Sequence, residues 1–262
     1  MSRIQRVVQI TDTHLFSDPV RALKGIVTDA SLRAVLIAAR DDLAEADLLL
    51  LTGDLAHDET EPTYQRLSSM LPEFVPAGCL IRAIPGNHDD PALLAQHFGT
   101  SSSVVLGDWL CIALDSHRDG IVEGVLSDAE LRRLDTELTE SHTRHALIAV
   151  HHHPVDVGSL WMDGIGLSNH EALFAVLKRH DTVRAIINGH IHQEFQGGRD
   201  GITVYGTPST NVQFRARSDQ PGYADLEPGY RRLALHPDGH IETQVVRATG
   251  VVRHLNTDGS YE

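Results

Sequence analysis

Five short clusters of carboxylate, imidazole and amide side chains hold the chemistry open to this sequence: Asp12-Thr13-His14, Gly53-Asp54, Gly86-Asn87-His88-Asp89, His151-His152-His153-Pro154 and Gly189-His190-Ile191-His192. Asp oxygens, an Asn carbonyl oxygen and His nitrogens suit borderline first-row ions such as Mn, Fe, Co, Ni or Zn. No single ion needs so many donors. Two ions sharing a bridging carboxylate would use them, and two metals about 3.5–4 Å apart clamp the attacking and leaving oxygens of a displacement at phosphorus. Each cluster alone also has a plain reading. Gly53-Asp54 is a common turn, Asn87-His88-Asp89 can be a polar turn with a helix cap at Asp89 or Asp90, and the histidine run can be an exposed loop. The chain's 17 histidines point toward metal or proton chemistry, but only their positions can decide.

Those positions share one feature: each cluster directly follows a predicted strand. Apolar runs at 7–10, 47–51, 80–84, 145–150 and 183–187 read as strands, with a further one at 109–114. In open α/β sheets, ligands bind beyond the carboxyl ends of the strands, so five strands would deliver five clusters to one edge. The glycines at 53, 86 and 189 are expected to let the backbone turn sharply off the strand. Helical spacing at 31–43 places Leu32, Val35, Leu36 and Ala39 on one face. Further helices are predicted at 62–70, 90–97 and 169–179, and at 128–138 behind a Ser127-Asp128-Ala129-Glu130 capping box. Beyond Gly189 the pattern turns to antiparallel pairs, 194–198 with 202–206 and 230–235 with 240–246, around Arg199-Asp200-Gly201 and Pro237-Asp238-Gly239. The result is an α/β chain with two packed sheets flanked by helices. The stretches 158–166 and 215–229 read as long loops.

Composition narrows the function classes. With 262 residues, 41% hydrophobic and 22% charged, the chain suits one domain over 1–250, followed by a polar, frayed tail at 251–262. A net charge of −14 repels phosphate backbones and argues against a nucleic-acid polymer as partner. A small anionic substrate remains open, because bound metal ions can supply positive charge locally. Cys79 and Cys111 lie in apolar runs and read as reduced core residues. No run of 18 apolar residues predicts a membrane span, and the first residues lack the apolar region of a secretory signal, so a cytoplasmic location is expected.

In this order the clusters resemble the motif set of the calcineurin-like metallophosphoesterases: D-x-H, G-D, G-N-H-[DE], an H two residues before a P, and G-H-x-H. The resemblance implies a four-layered α/β/β/α sandwich with two mixed sheets. It also implies two divalent or mixed-valence metal ions, Fe, Mn or Zn. Asp12, His14 and His192 would hold the first, Asn87, His152 and His190 the second, and Asp54 would bridge them. His152 is chosen from the run because it lies two before Pro154, leaving His151 and His153 without a ligand role. His88 and Asn87 would meet the substrate. His88 would protonate the leaving oxygen or stabilise phosphoryl charge, with Asp89 orienting it.

A closer resemblance, to the bacterial class III 3′,5′-cyclic-nucleotide phosphodiesterases, runs through Ile10-Thr11-Asp12-Thr13-His14-Leu15, the His151 and His190 clusters, Thr207 to Phe214, and Pro228-Gly229-Tyr230-Arg231. It implies hydrolysis of a small anionic phosphodiester, cyclic AMP to 5′-AMP, by a monomer or homodimer. A broader activity on glycerophosphodiesters or phospholipid head groups stays open. A metal scaffold without catalysis would be expected to lose ligands, and all seven are here. The sequence departs from close relatives at Asn211, where Cys is frequent. His57 and Asp58 have no assignable role, and the loop around Trp161 and Met162 could shape a base pocket.

Overall fold

Strands buried on both faces read as nearly continuous apolar runs, and four segments of the chain meet that description. They are β2 (Leu48–Thr52), β5 (Trp109–Leu114), β6 (His145–Val150) and β7 (Val183–Asn188), with every residue buried except Arg184. With β1 (Gln5–Ile10), β3 (Leu80–Ile84), β4 (Ser103–Leu106), β8 (Phe195–Arg199), β9 (Ile202–Gly206), β10 (Gly229–Leu235) and β11 (Ile241–Arg247) they form two sheets. The computed structural model describes residues 3–99, 103–251 and 255.

The first sheet runs β11-β10-β1-β2-β3 and the second β8-β9-β7-β6-β5-β4. Both are mixed. The parallel strands β1, β2 and β3 occupy one end of the first sheet, and β5, β6, β7 and β9 the middle of the second. Antiparallel strands complete the edges. Alternation along each strand separates three cores. Val7, Leu50, Cys111, Ala149 and Ile187 fill the space between the sheets. Val8, Ile10, Leu49 and Leu51 face outward with Leu32 and Leu36 of the helix Thr28–Ala38 and Tyr64 and Leu67 of the helix Glu61–Met70. Ile148, Val150 and Ile186 meet Leu134 and Leu138 of the helix Asp128–Glu140 and Phe174 of the helix His170–Leu177. The layers are therefore α/β/β/α, as the motif resemblance implied. Ser127 caps its helix as expected, its Oγ accepting from Glu130 N at 3.1 Å.

A buried polar network ties the two sheets together beneath the loops that carry the clusters. Gln9 donates to Thr52 Oγ1 at 2.9 Å and to Asn188 O at 3.2 Å, while its own oxygen accepts from Thr207 Oγ1 at 2.6 Å. Arg231 completes the network by donating to Thr207 Oγ1 and to Gly206 O. A fully satisfied buried network of this kind fixes the relative placement of the strand ends it joins.

Several expectations need adjusting. The helix expected at 31–43 starts earlier and breaks, Thr28–Ala38 followed by Arg40–Ala44. Edge strand β4 went unread because its partly exposed Ser-Val-Val-Leu has no clear alternation. The two long loops contain the short helix Leu160–Asp163 and a two-residue pairing of Gln213–Phe214 with Tyr223–Ala224. Of the tail, only Val251 and Leu255 are described, and both pack on apolar clusters; the rest of that expectation lies outside the described residues. Cys79 and Cys111 are buried and unpaired. Among the described residues, no helix is long and apolar enough to cross a membrane.

Candidate metal centre

All five clusters emerge at the carboxyl ends of parallel strands: Asp12 after β1, Asp54 after β2, Asn87 after β3, His151 after β6 and His190 after β7. Backbone bonds continue the β1–β2 pairing into the loops, with Asp12 N to Gly53 O and His14 N to Asp54 O, both 2.9 Å. Five candidate ligands hold a left-handed backbone, with φ of 53° at Asp12, 44° at His14, 52° at Asp54, 67° at His190 and 47° at His192. Non-glycine residues adopt this region rarely and at a cost, and such strain gathers at functional sites. Two of the glycines are present for space rather than for turning. A Cβ on Gly86 would lie 2.1 Å from Asp54 Oδ1, and one on Gly189 would lie 2.1 Å from Thr11 Oγ1.

The donor atoms fall into two groups. His14 Nε2 and His192 Nε2 stand 3.2 Å apart, and Asp12 Oδ1 is 3.1 Å from His192 Nε2. His151, His152 and His190 form the second group. Asp54 lies between them. Its Oδ2 is 3.7 Å from His14 Nε2, and its Oδ1 is 3.4 Å from His151 Nε2. Asp12, Asp54 and all five of these histidines are buried.

Hydrogen bonds to the outer ring nitrogens set the tautomers. His151 Nδ1 donates to Thr52 O at 2.7 Å, His192 Nδ1 to Val212 O at 2.9 Å and His190 Nε2 to Ile165 O at 3.1 Å. A carbonyl only accepts, so each ring keeps its proton there and turns a lone pair to the opposite side. His152 differs. Its Nε2 donates to Val122 O at 2.9 Å, and its Nδ1 accepts from Ser116 Oγ at 2.8 Å. Both nitrogens are used, whereas His151 Nε2 is buried and makes no hydrogen bond of good geometry. Both residues stand in the second donor group, but by hydrogen bonding it is His151, and not His152 as spacing from Pro154 suggested, that turns an uncommitted buried nitrogen toward Asp54. Asn87 Oδ1 is another buried acceptor without a donor.

Electrostatics agree with a cation-binding site. Burial holds His14, His152 and His190 well below the usual imidazole range, which leaves them neutral. Burial alone would raise the Asp54 carboxyl, but His151, His88 and His14 outweigh it and hold it well below the usual carboxylate range. Against its own burial, His151 is pushed up to about 9, chiefly by Asp54. The proton that this pair attracts sits where a divalent cation would compete for the same lone pairs. Orphaned oxygens and nitrogens, lone pairs facing one another and a carboxylate between two clusters all fit a pair of metal ions.

The remaining expected residues have clear places. Asp89, expected to orient His88, is held by groups of two loops. It accepts from Leu55 N, Ala56 N, Gly86 N and Tyr64 Oη at 2.9–3.1 Å, so it locks the Asp54 loop to the Asn87 loop. His88 donates its backbone N–H to Asp54 Oδ1 at 2.8 Å, and its ring centroid lies 5.2 Å from that of His14. His153 is stacked on His190 at 5.7 Å. Trp161 packs edge-on against Phe214, which in turn stacks on His192 at 4.3 Å, so this loop backs a candidate ligand. Sequence reading missed Ser116, the partner of His152, and His117, whose Nδ1 meets Gly86 O at 2.8 Å. Their position just after β5 was the available signal.

Comparison with known proteins agrees with this geometry. The chain is 39% identical over 248 residues to "3′,5′-cyclic adenosine monophosphate phosphodiesterase CpdA" of Escherichia coli (strain K12), covering 92% of this chain and 89% of that one. It is 36% identical to the protein of the same name from Pseudomonas aeruginosa, covering 96% and 93%. In fold it is similar to a dimetal phosphatase from Danio rerio, with a TM-score of 0.63, 16% identity and coverage of 95% and 100%. Residues 5–194 match the family model described as calcineurin-like phosphoesterase, and the chain belongs to that family.

Proposed function

We propose that the chain is a dinuclear-metal phosphodiesterase that hydrolyses 3′,5′-cyclic nucleotides, with cyclic AMP as the preferred substrate and 5′-AMP as product. The observation that carries this reading is Asp54, whose two oxygens each face a separate group of donors. Asp12, His14 and His192 would hold one ion, Asn87, His151 and His190 the other, and Asp54 would be shared. The donor set is mixed N and O, which suits Fe, Mn or Zn. When bound, such ions supply a nucleophile at neutral pH and positive charge for the phosphoryl oxygens.

The protein's own groups do the rest. His88 stands on the Asn87 loop, half-buried beside His14. There its ring would protonate the departing ribose oxygen or stabilise charge on the phosphoryl group. Asn87 would take up substrate beside it. Asp89 keeps both loops at a fixed spacing through four donors, a positioning role that does not touch the substrate. The names of the relatives at 36–39% identity support the cyclic-nucleotide substrate.

The test is turnover of the Mn-reconstituted protein on 3′,5′-cyclic AMP, 2′,3′-cyclic AMP, glycerophosphocholine and p-nitrophenyl phosphate side by side. A clear lead in kcat/KM for 3′,5′-cyclic AMP supports the assignment. Comparable activities, or a lead for the glycerol diester, would reduce it to a phosphodiesterase of broader range.

A further inference from the structure

Three of the four candidate histidine ligands share one device, a backbone carbonyl on the outer ring nitrogen: Thr52 O for His151, Ile165 O for His190 and Val212 O for His192. The fourth, His14, faces a side chain instead. Its Nδ1 lies 3.2 Å from His57 Nδ1. We infer that His57 is a positioning residue for the metal centre, its Nδ1 lone pair accepting the Nδ1 proton of His14 in place of a carbonyl. The inference rests on His14 being a ligand, as proposed above.

The proton count allows one arrangement when His14 ligates through Nε2. A neutral imidazole whose Nε2 lone pair is committed carries its proton on Nδ1. A contact between two ring nitrogens is a hydrogen bond only if one of them carries the proton. His57 must then present a bare Nδ1 and keep its own proton on Nε2. Outer partners of this kind orient a ligating imidazole and raise its basicity.

The backbone holds His57 in register with His14. His14 N donates to Asp54 O, Leu15 N to Leu55 O and His57 N to Leu15 O, at 2.8–3.0 Å, so the segments after β1 and β2 are laced together through the contact. Asp58 secures the next step. Its carboxylate accepts from Ser17 N at 2.7 Å and from Thr63 Oγ1 at 2.6 Å. The His57 ring is itself enclosed, edge-on to Phe16 at 4.9 Å and stacked on His88 at 5.0 Å with 25° between the planes. One imidazole thus touches both a candidate ligand and the ring placed to meet the leaving group. The rival use of these atoms is a third ion held by His14, His57 and His88, whose nitrogens cluster.

The test compares two substitutions in the full-length protein, titrated with Co²⁺ against a chromophoric chelator and followed by visible absorption. His57→Phe keeps a ring against Phe16 and His88 but has no acceptor. His57→Asn loses the ring and offers an amide oxygen near the same place. The expected result is two ions per chain in both variants, roughly 10–100-fold weaker binding at one site in His57→Phe, and recovery of most of that loss in His57→Asn. His14→Ala is the control, and retention of both ions there would refute the ligand assignment itself. With that control lost as expected, unchanged constants in His57→Phe would overturn the inference. So would equal weakening in both variants, or a third ion that disappears with His57.

Discussion

His151 and His152 are adjacent, equally buried and chemically identical, yet the structure predicts opposite phenotypes for them. His151→Asn removes a nitrogen that has no hydrogen bond and faces Asp54 at 3.4 Å. Its loss takes one donor from the second ion and one from the Asp54 environment, so metal content should fall from two ions per chain toward one. The metal-free fold loses the bond to Thr52 O and the attraction between His151 and Asp54, so metal content is the reading that separates this variant. His152→Asn breaks two buried hydrogen bonds, to Val122 O and Ser116 Oγ. Each is worth about 0.5–1.5 kcal/mol, and a buried partner left unsatisfied costs about 1–3 kcal/mol. A total near 3 kcal/mol lowers the Tm of a chain this size by roughly 6–12 °C. Elemental analysis after dialysis, paired with thermal unfolding in chelator, reads both effects. If His152→Asn loses an ion while His151→Asn keeps two, the tautomer argument is wrong.

Other perturbations follow from the same geometry. Gly86→Ala places a methyl 2.1 Å from Asp54 Oδ1; displacing the shared carboxylate by about 1 Å should cost on the order of 100-fold in kcat/KM, with the far-UV spectrum unchanged, and near-normal activity would show that the loop can yield. Asn87→Ala removes the orphaned oxygen and should weaken the second site without lowering metal-free stability, as a Mn²⁺ titration checks. Chelation should lower Tm, and readdition of Mn²⁺ should restore it; at free metal 100 times Kd the gain is about 2.7 kcal/mol per site, and a Tm insensitive to metal refutes a bound pair. Burial, reinforced by Asp54, lifts the Asp89 carboxyl from 3.8 to about 6. A raised folded-state pKa contributes stability in full below the unfolded value and loses it as pH rises through the folded one. Metal-free protein should therefore lose stability from this group between pH 3.8 and about 6, and Asp89→Asn should flatten that slope in pH-dependent denaturant melts.

Residue types and local patterning set the kind of chemistry and the elements that carry it. Ligand type is a property of the side chain. A run such as Leu48 to Leu51 is too short for a free-standing helix and reads as an interior strand, so the placement of Asp12, Asp54, Asn87 and His190 just beyond strand ends followed from local pattern. Which atom of each residue does the work was decided by tertiary structure. His151 and His152 cannot be told apart by type or spacing, because the difference lies in Thr52, Ser116 and Val122, brought from 30–99 residues away. Asp89 sits next to His88 in the chain, yet its carboxylate is claimed by backbone N–H groups of Leu55 and Ala56. His57 gained a role only when the β1 and β2 loops were laced side by side. Hydrogen bonds to outer ring nitrogens and close approaches at glycine are contacts between distant segments, and they form only when the two sheets have packed.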